Sequence, residues 1–106
     1  MNIGLDFDKT YTLDPEFCDA FVIAAKKSGH SVYCITARVD NEKNRREVVI
    51  PGVETTFCGF SSKVNHMKAT KGIAIDVWID DDPAMCVFEK QDAPMRIKSK
   101  QRFIRR

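Results

Sequence analysis

No apolar run in this chain approaches the roughly 18 residues that a membrane span needs, and its first residues, MNIGLDFD, lack the basic-then-apolar pattern of a secretory signal. The expectation is a cytoplasmic protein without membrane contact. There is no CxxC pair, and the four cysteines, Cys18, Cys34, Cys58 and Cys86, stand far apart with no paired histidines beside them. That spacing argues against a zinc site and a dithiol redox motif, and leaves reduced, mostly buried thiols. No internal repeat, low-complexity segment or linker divides the 106 residues, a length that fits a single domain over 1–106.

What is present is a globular balance, with 43% hydrophobic and 30% charged residues, too apolar for a disordered chain. Net charge is only +2, but from Arg96 onward RIKSKQRFIRR carries six basic residues and no acidic one. This basic tail, about 96–106, reads first as a solvated end and second as a contact for nucleic acid or another polyanion.

Strand and helix patterns alternate along the chain. Residues 2–6 and 31–36 read as short buried strands. Between them Asp14 and Pro15 open a helix whose Phe17, Phe21 and Ala24/Ala25 recur at helical spacing, closed near Gly29. A charged surface helix is expected from about Asn41 to Val49, a strand over 54–60, a helix from Ser61 or Ser62 to about Lys71, and a strand over 73–79 that runs into Asp80, Asp81 and Asp82. This order predicts an α/β domain with a mainly parallel sheet and right-handed crossovers. Ligands bind such sheets beyond the carboxyl ends of the strands, which places Asp6 and Asp8, Thr36 and Arg38, and Asp80 to Asp82 together.

Two sets of carboxylates at one sheet edge repel unless a cation compensates, and an oxygen-rich site of this kind suits Mg2+. Magnesium usually keeps positions for water and a substrate phosphate, so a phosphorylated substrate follows. With the charge neutralised, one carboxylate can attack phosphorus while another serves the leaving group and then water as acid and base.

These residues resemble a family. DFDKT fits the first motif of the haloacid dehalogenase-like (HAD) phosphatases through Asp6, Asp8 and Thr10; CITAR fits the second through Thr36, with Arg38 two residues on; WIDDDP fits the fourth. The resemblance spans roughly residues 2 to 83, with the motifs in the family's order. It implies a Rossmann-like three-layer sandwich and a phosphoric monoester phosphatase working through an aspartyl-phosphate. Asp6 would be the nucleophile, and Asp8 the general acid and base with its main-chain carbonyl on magnesium. Thr36 would hold a phosphoryl oxygen, and Asp81, with Asp80, would complete the metal site. The third-motif lysine is chosen among Lys63, Lys68 and Lys71. Lys63 lies in the first turn of its helix, where the dipole disfavours a cation, and the family keeps its lysine near that helix start, so Lys63 is assigned to the nucleophile and the transferring phosphoryl group.

Other residues carry plainer readings beside these. Thr10 can stabilise the loop after the first strand or bind substrate, and Arg38 can pair with a neighbouring carboxylate or with substrate. Asp82-Pro83 repeats Asp14-Pro15 and reads as a helix N-cap. His30 and His66 read as surface residues, and Trp78 as core.

Many members of the family insert a cap domain after the first motif or between the second and third; here one helix fills each interval, so the resemblance implies a capless, open site. An open site favours a large substrate such as a phosphorylated nucleic acid end or protein, with a lean to nucleic acid from the basic tail, or a nucleotide or sugar phosphate covered by a second subunit in a homo-oligomer. A receiver domain uses similar groups in a different chain order. The remaining alternative is a catalytically silent HAD-like module that binds nucleic acid or a phosphorylated partner.

Overall fold

The computed structural model describes residues 1–88 of the chain. Four parallel strands, β1 (Asn2–Leu5), β2 (Ser31–Thr36), β3 (Glu54–Phe57) and β4 (Val77–Ile79), form one sheet in the order β3-β2-β1-β4. The chain fills one side of β1 with β2 and β3, then crosses back to place β4 on the other. The carboxyl ends of β1, β2 and β4 therefore meet at the point where the order reverses, which is where such sheets hold ligands.

Helix α1 (Pro15–Lys27) begins where Asp14 accepts a bond from Phe17 N and Pro15 supplies the first helical position. The face it buries is Cys18, Val22 and Ala25, against Ile3, Leu5, Val32 and Cys34, with Val48 and Ile50 in the same cluster. Phe17 is 67% exposed, so the buried stripe runs one residue later than the expected Phe17-Phe21 spacing, with Phe21 at its margin.

Alternation along β2 sends Tyr33 and Ile35 to the opposite face, where they meet Cys58, Met67 of α3 (Lys63–Lys71), Ile73, Ile75 and Trp78. Gly4 makes this second cluster possible. A Cβ there would stand 2.9 Å from Trp78 Cε3 and 3.2 Å from Ile35 Cδ1, so only a bare backbone lets the indole lie across β1. Trp78 is half-buried, packed against that cluster rather than enclosed by it.

Helix α2 (Glu42–Glu47) is short, capped by the Asn41 side chain on Asn44 N, and buries none of its own residues. Ser62 caps α3 by accepting from Asn65 N, and Gly72 ends it in the left-handed conformation at φ 64°.

Several expected elements differ in extent or form, the surface helix among them, which ends at Glu47 and not Val49. The last strand covers 77–79 and not 73–79, because the Asp76 side chain accepts from Asn2 N (2.7 Å) and Asn2 Nδ2 donates to Ala74 O (3.1 Å), which starts the ladder only at Ile3 and Val77. The third strand stops at Phe57; Cys58 N then bonds Thr36 O and Gly59 N bonds Arg38 O, which turns the chain over the end of β2. A short helix, α4 (Ala84–Val87), follows Asp82, but its cap is Pro83 with no side-chain capping bond, so Asp82 is not the N-cap that the sequence suggests. His30 and His66 are half-buried at the surface, His30 resting with Nδ1 2.8 Å from the N-terminal ammonium. All four cysteines are buried and free. Among the described residues no helix is long and apolar enough to cross a membrane. The basic stretch 96–106 lies outside the described residues.

Candidate active site

Beyond Leu5 the chain turns sharply. Asp6 N still bonds Ile79 O, and Tyr11 N returns to Asp6 O, while Thr10 N and Thr12 N both close on Phe7 O. Lys9 accepts a positive φ of 59° in this turn, a conformation uncommon outside glycine, with its N–H bonded to Thr12 Oγ1. Phe7, between the two aspartates, is buried and stacks on Tyr11 at 5.7 Å. It anchors the loop while the aspartates line a cleft of about 370 Å³ at the sheet's carboxyl edge.

Lys63, the first residue of α3, is only 2% exposed. Its Nζ donates to Asp6 Oδ1 at 2.9 Å and to Asp80 Oδ2 at 2.5 Å. A buried ammonium survives only with such partners, and both carboxylates keep Lys63 charged, above its ordinary range, against a strong desolvation cost. Burial pushes the Asp6 carboxyl up to about 7, opposed by Lys63 and reinforced by Asp80. Asp80 is raised by burial in the same sense, again opposed by Lys63. Two acids therefore share one base.

Asp81 joins them. Thr10 Oγ1 lies 3.3 Å from Asp6 Oδ2 and 3.4 Å from Asp81 Oδ1, and it accepts from Asp81 N at 3.3 Å. Thr10 thus ties the loop after β1 to the loop after β4, a structural position within the site.

Each of Asp6, Asp80 and Asp81 offers an oxygen within 4.8 Å of the others, a group that could hold a metal ion. The donor set is all carboxylate, which suits a hard cation. When ionised, these three carboxylates face the single Lys63 ammonium and leave two negative charges, the complement of a divalent ion.

Asp8 stands apart from that cluster. Its carboxylate is held by Arg38, Nε to Oδ2 and Nη2 to Oδ1, both at 2.8 Å. This hydrogen-bonded pairing holds the Asp8 carboxyl below its usual range, and burial opposes it without overcoming it. The Arg38 guanidinium, raised mainly by Asp8 and Glu47, stays charged throughout. Its Nη1 donates to Asn44 Oδ1 (3.1 Å) and Glu47 Oε1 (2.7 Å) on α2, and its Cζ lies over the Phe7 ring, 5.6 Å from the ring centre. Thr36 is buried at the end of β2, its hydroxyl accepting from Arg38 N at 3.2 Å.

The structure thus brings Asp6, Asp8, Thr36, Arg38, Lys63, Asp80 and Asp81 to one cleft, with Thr10 bridging two of its walls. The side chain of Asp8 does not join the cation-holding group; among the carboxylates named for a metal, only Asp6, Asp80 and Asp81 do. Sequence reasoning missed Asn44 and Glu47. Both lie on α2, whose charged sequence reads as an ordinary solvated helix and gives no sign that Arg38 reaches it. It also missed Lys9 as a lining residue of the cleft, whereas Asp82 lines it as its place at the strand end implies. No protein-family model, no curated protein and no solved structure matches this chain.

Proposed function

We propose that the chain is a magnesium-dependent phosphomonoester hydrolase of the HAD type, without a cap domain, that works through an aspartyl-phosphate on Asp6. The observation that carries this reading is the shared ammonium: Lys63 Nζ lies within hydrogen-bond distance of both Asp6 and Asp80 at the reversal point of a parallel sheet, with Asp81 beside them. A purely structural core has little use for two carboxylates on one buried lysine with a third carboxylate beside them, since apolar residues of similar volume cost less.

In this reading Asp6, Asp80 and Asp81 would hold the cation, and its charge would neutralise the carboxylates and offset that of a phosphoryl group. An Asp6 oxygen attacks phosphorus, and the bond from phosphorus to the ester oxygen breaks. Asp8 gives that oxygen a proton, then takes one from the water that cleaves the Asp6 phosphoryl bond. Lys63 directs the Asp6 carboxylate and balances charge on the transferring group, and Thr36 donates its hydroxyl proton to a phosphoryl oxygen.

The described residues leave the cleft open to substrate. Between β1 and β2 the chain has only a single 3-10 turn and α1, and between β2 and β3 only α2, so no inserted domain covers the cleft. This supports a phosphorylated nucleic acid end or nucleotide as substrate, or a second subunit as lid. The test is phosphate release from an aryl phosphate, nucleotides and 3′- and 5′-phosphorylated oligonucleotides, with and without magnesium. Metal-dependent release that disappears in Asp6→Asn is expected. A folded protein that releases phosphate from none of them, yet binds a phosphorylated oligonucleotide, would replace this reading with the silent binding module.

A further inference from the structure

The hold of Arg38 on Asp8 is what the phosphatase reading leaves unexplained, because an acid and base with both oxygens occupied cannot serve a leaving group. The guanidinium is used from two sides. Its Nε and Nη2 edge takes both Asp8 oxygens, whereas Nη1 is held by Asn44 and Glu47. Both anchors sit on α2, a helix that buries none of its own residues. Asn44 Nδ2 also donates to Val39 O at 2.8 Å, which fixes the backbone next to Arg38.

The edge given to Asp8 has the geometry that grips two oxygens of a phosphoryl group equally well. Arg38 and Asp8 line the same cleft as Asp6 and Lys63. Their side chains are 27% and 48% exposed, so an incoming anion can reach the pair. Were Asp8 to leave, Glu47, Asn44 and the Phe7 ring would still keep the guanidinium in place.

We propose that Arg38 is an exchangeable anion receptor held by α2: Nη1 stays anchored on Asn44 and Glu47 while the Nε and Nη2 edge passes from Asp8 to oxygens of the substrate phosphoryl group, releasing Asp8 toward the leaving group. The proposal rests on the phosphatase reading. Arg38 contacts substrate in it, and Asn44 and Glu47 are positioning residues.

The test is calorimetric titration of inorganic phosphate into the full chain with magnesium present, for the wild type, Asp8→Asn, Arg38→Lys and the double variant. Asp8→Asn is expected to tighten phosphate about tenfold where Arg38 is present and less than about twofold in Arg38→Lys, which keeps the charge but lacks the two-donor edge. Equal tightening in both backgrounds would mean simple loss of a negative charge and would overturn the exchange. Glu47→Ala should loosen phosphate several-fold and raise KM more than it lowers kcat, with Glu47→Gln, still an acceptor for Nη1, recovering most of both. Wild-type phosphate binding in Glu47→Ala would remove α2 from the scheme. Absence of phosphate binding in every variant would overturn the exchange as well, while release from the ester panel judges the phosphatase reading by itself.

Discussion

Asp6 and Asp8 are separated by one residue, and each pairs with a cation, yet their carboxyls move in opposite directions. Asp6 sits with Asp80 around a lysine that is 2% exposed, and burial raises both acids. Asp8 meets an arginine at a half-exposed rim, and that hydrogen-bonded pairing lowers it. Depth decides the sign: where water is excluded the loss of hydration outweighs one shared ammonium, and where water remains the ion pair wins. The inner network is therefore a fixed charge scaffold short of positive charge, and the outer one is a contact that can be exchanged at small cost.

The largest expected effect lies in the inner network. Asp6→Asn should lower phosphate release by about 10⁴-fold or more, as removal of a nucleophile does, with the fold kept, read from release kinetics and circular dichroism. Next, Lys63→Met should cost about 3–5 kcal/mol of stability, because it strands Asp6 and Asp80 without their cation. Magnesium should recover part of that loss. Arg38→Met, by contrast, should cost about 1 kcal/mol or less, given the exposure of its pairs. Equal losses in the two variants, measured by chemical denaturation, would break the distinction between them.

The two aspartates should also separate by pH in the metal-free protein. Asp6 has a folded pKa of about 7 against an ordinary 3.8, so its contribution to stability is complete below about 3.8 and is lost as pH rises through about 7. Asp8 has a lowered folded pKa, so its contribution is complete above 3.8 and is lost only as pH falls through that lower value. Unfolding midpoints measured in a chelator should therefore carry a downward slope above pH 4, to which the raised Asp80 also contributes, that Asp6→Asn makes shallower and Asp8→Asn leaves alone. Asp8→Asn should change only the acid limb.

The inner network was largely legible in the sequence. Acidic residues at the ends of apolar runs and a lysine in a helix's first turn break local rules, and such breaks have few explanations outside a site. The outer network was not. Asn44 and Glu47 lie within a charged hexamer whose pattern matches any solvated helix face, and only the fold reveals that Arg38 reaches them. Periodicity likewise placed α1 but missed which residues it buries, since Phe17, Cys18 and Val22 all fit a helical stripe and the packing against β1 and β2 selects the last two. The early start expected for β4 failed for a related reason: Ile73 and Ile75 do pack into the core, but from a loop held by Asn2 and Asp76 rather than from a ladder. Burial and strand pairing leave the same mark on a sequence.

The central claim, that Asp6 carries the phosphoryl group, is tested most directly by trapping it. Asp8→Asn would be mixed with the preferred ester and magnesium, quenched in acid and digested, and its peptides analysed by mass spectrometry. The predicted result is a phosphoryl group on Asp6, accumulating in Asp8→Asn because the water step has lost its base, and absent when Asp6→Asn is added. Phosphate release by the wild type with Asp6 unmodified at every quench time would contradict it.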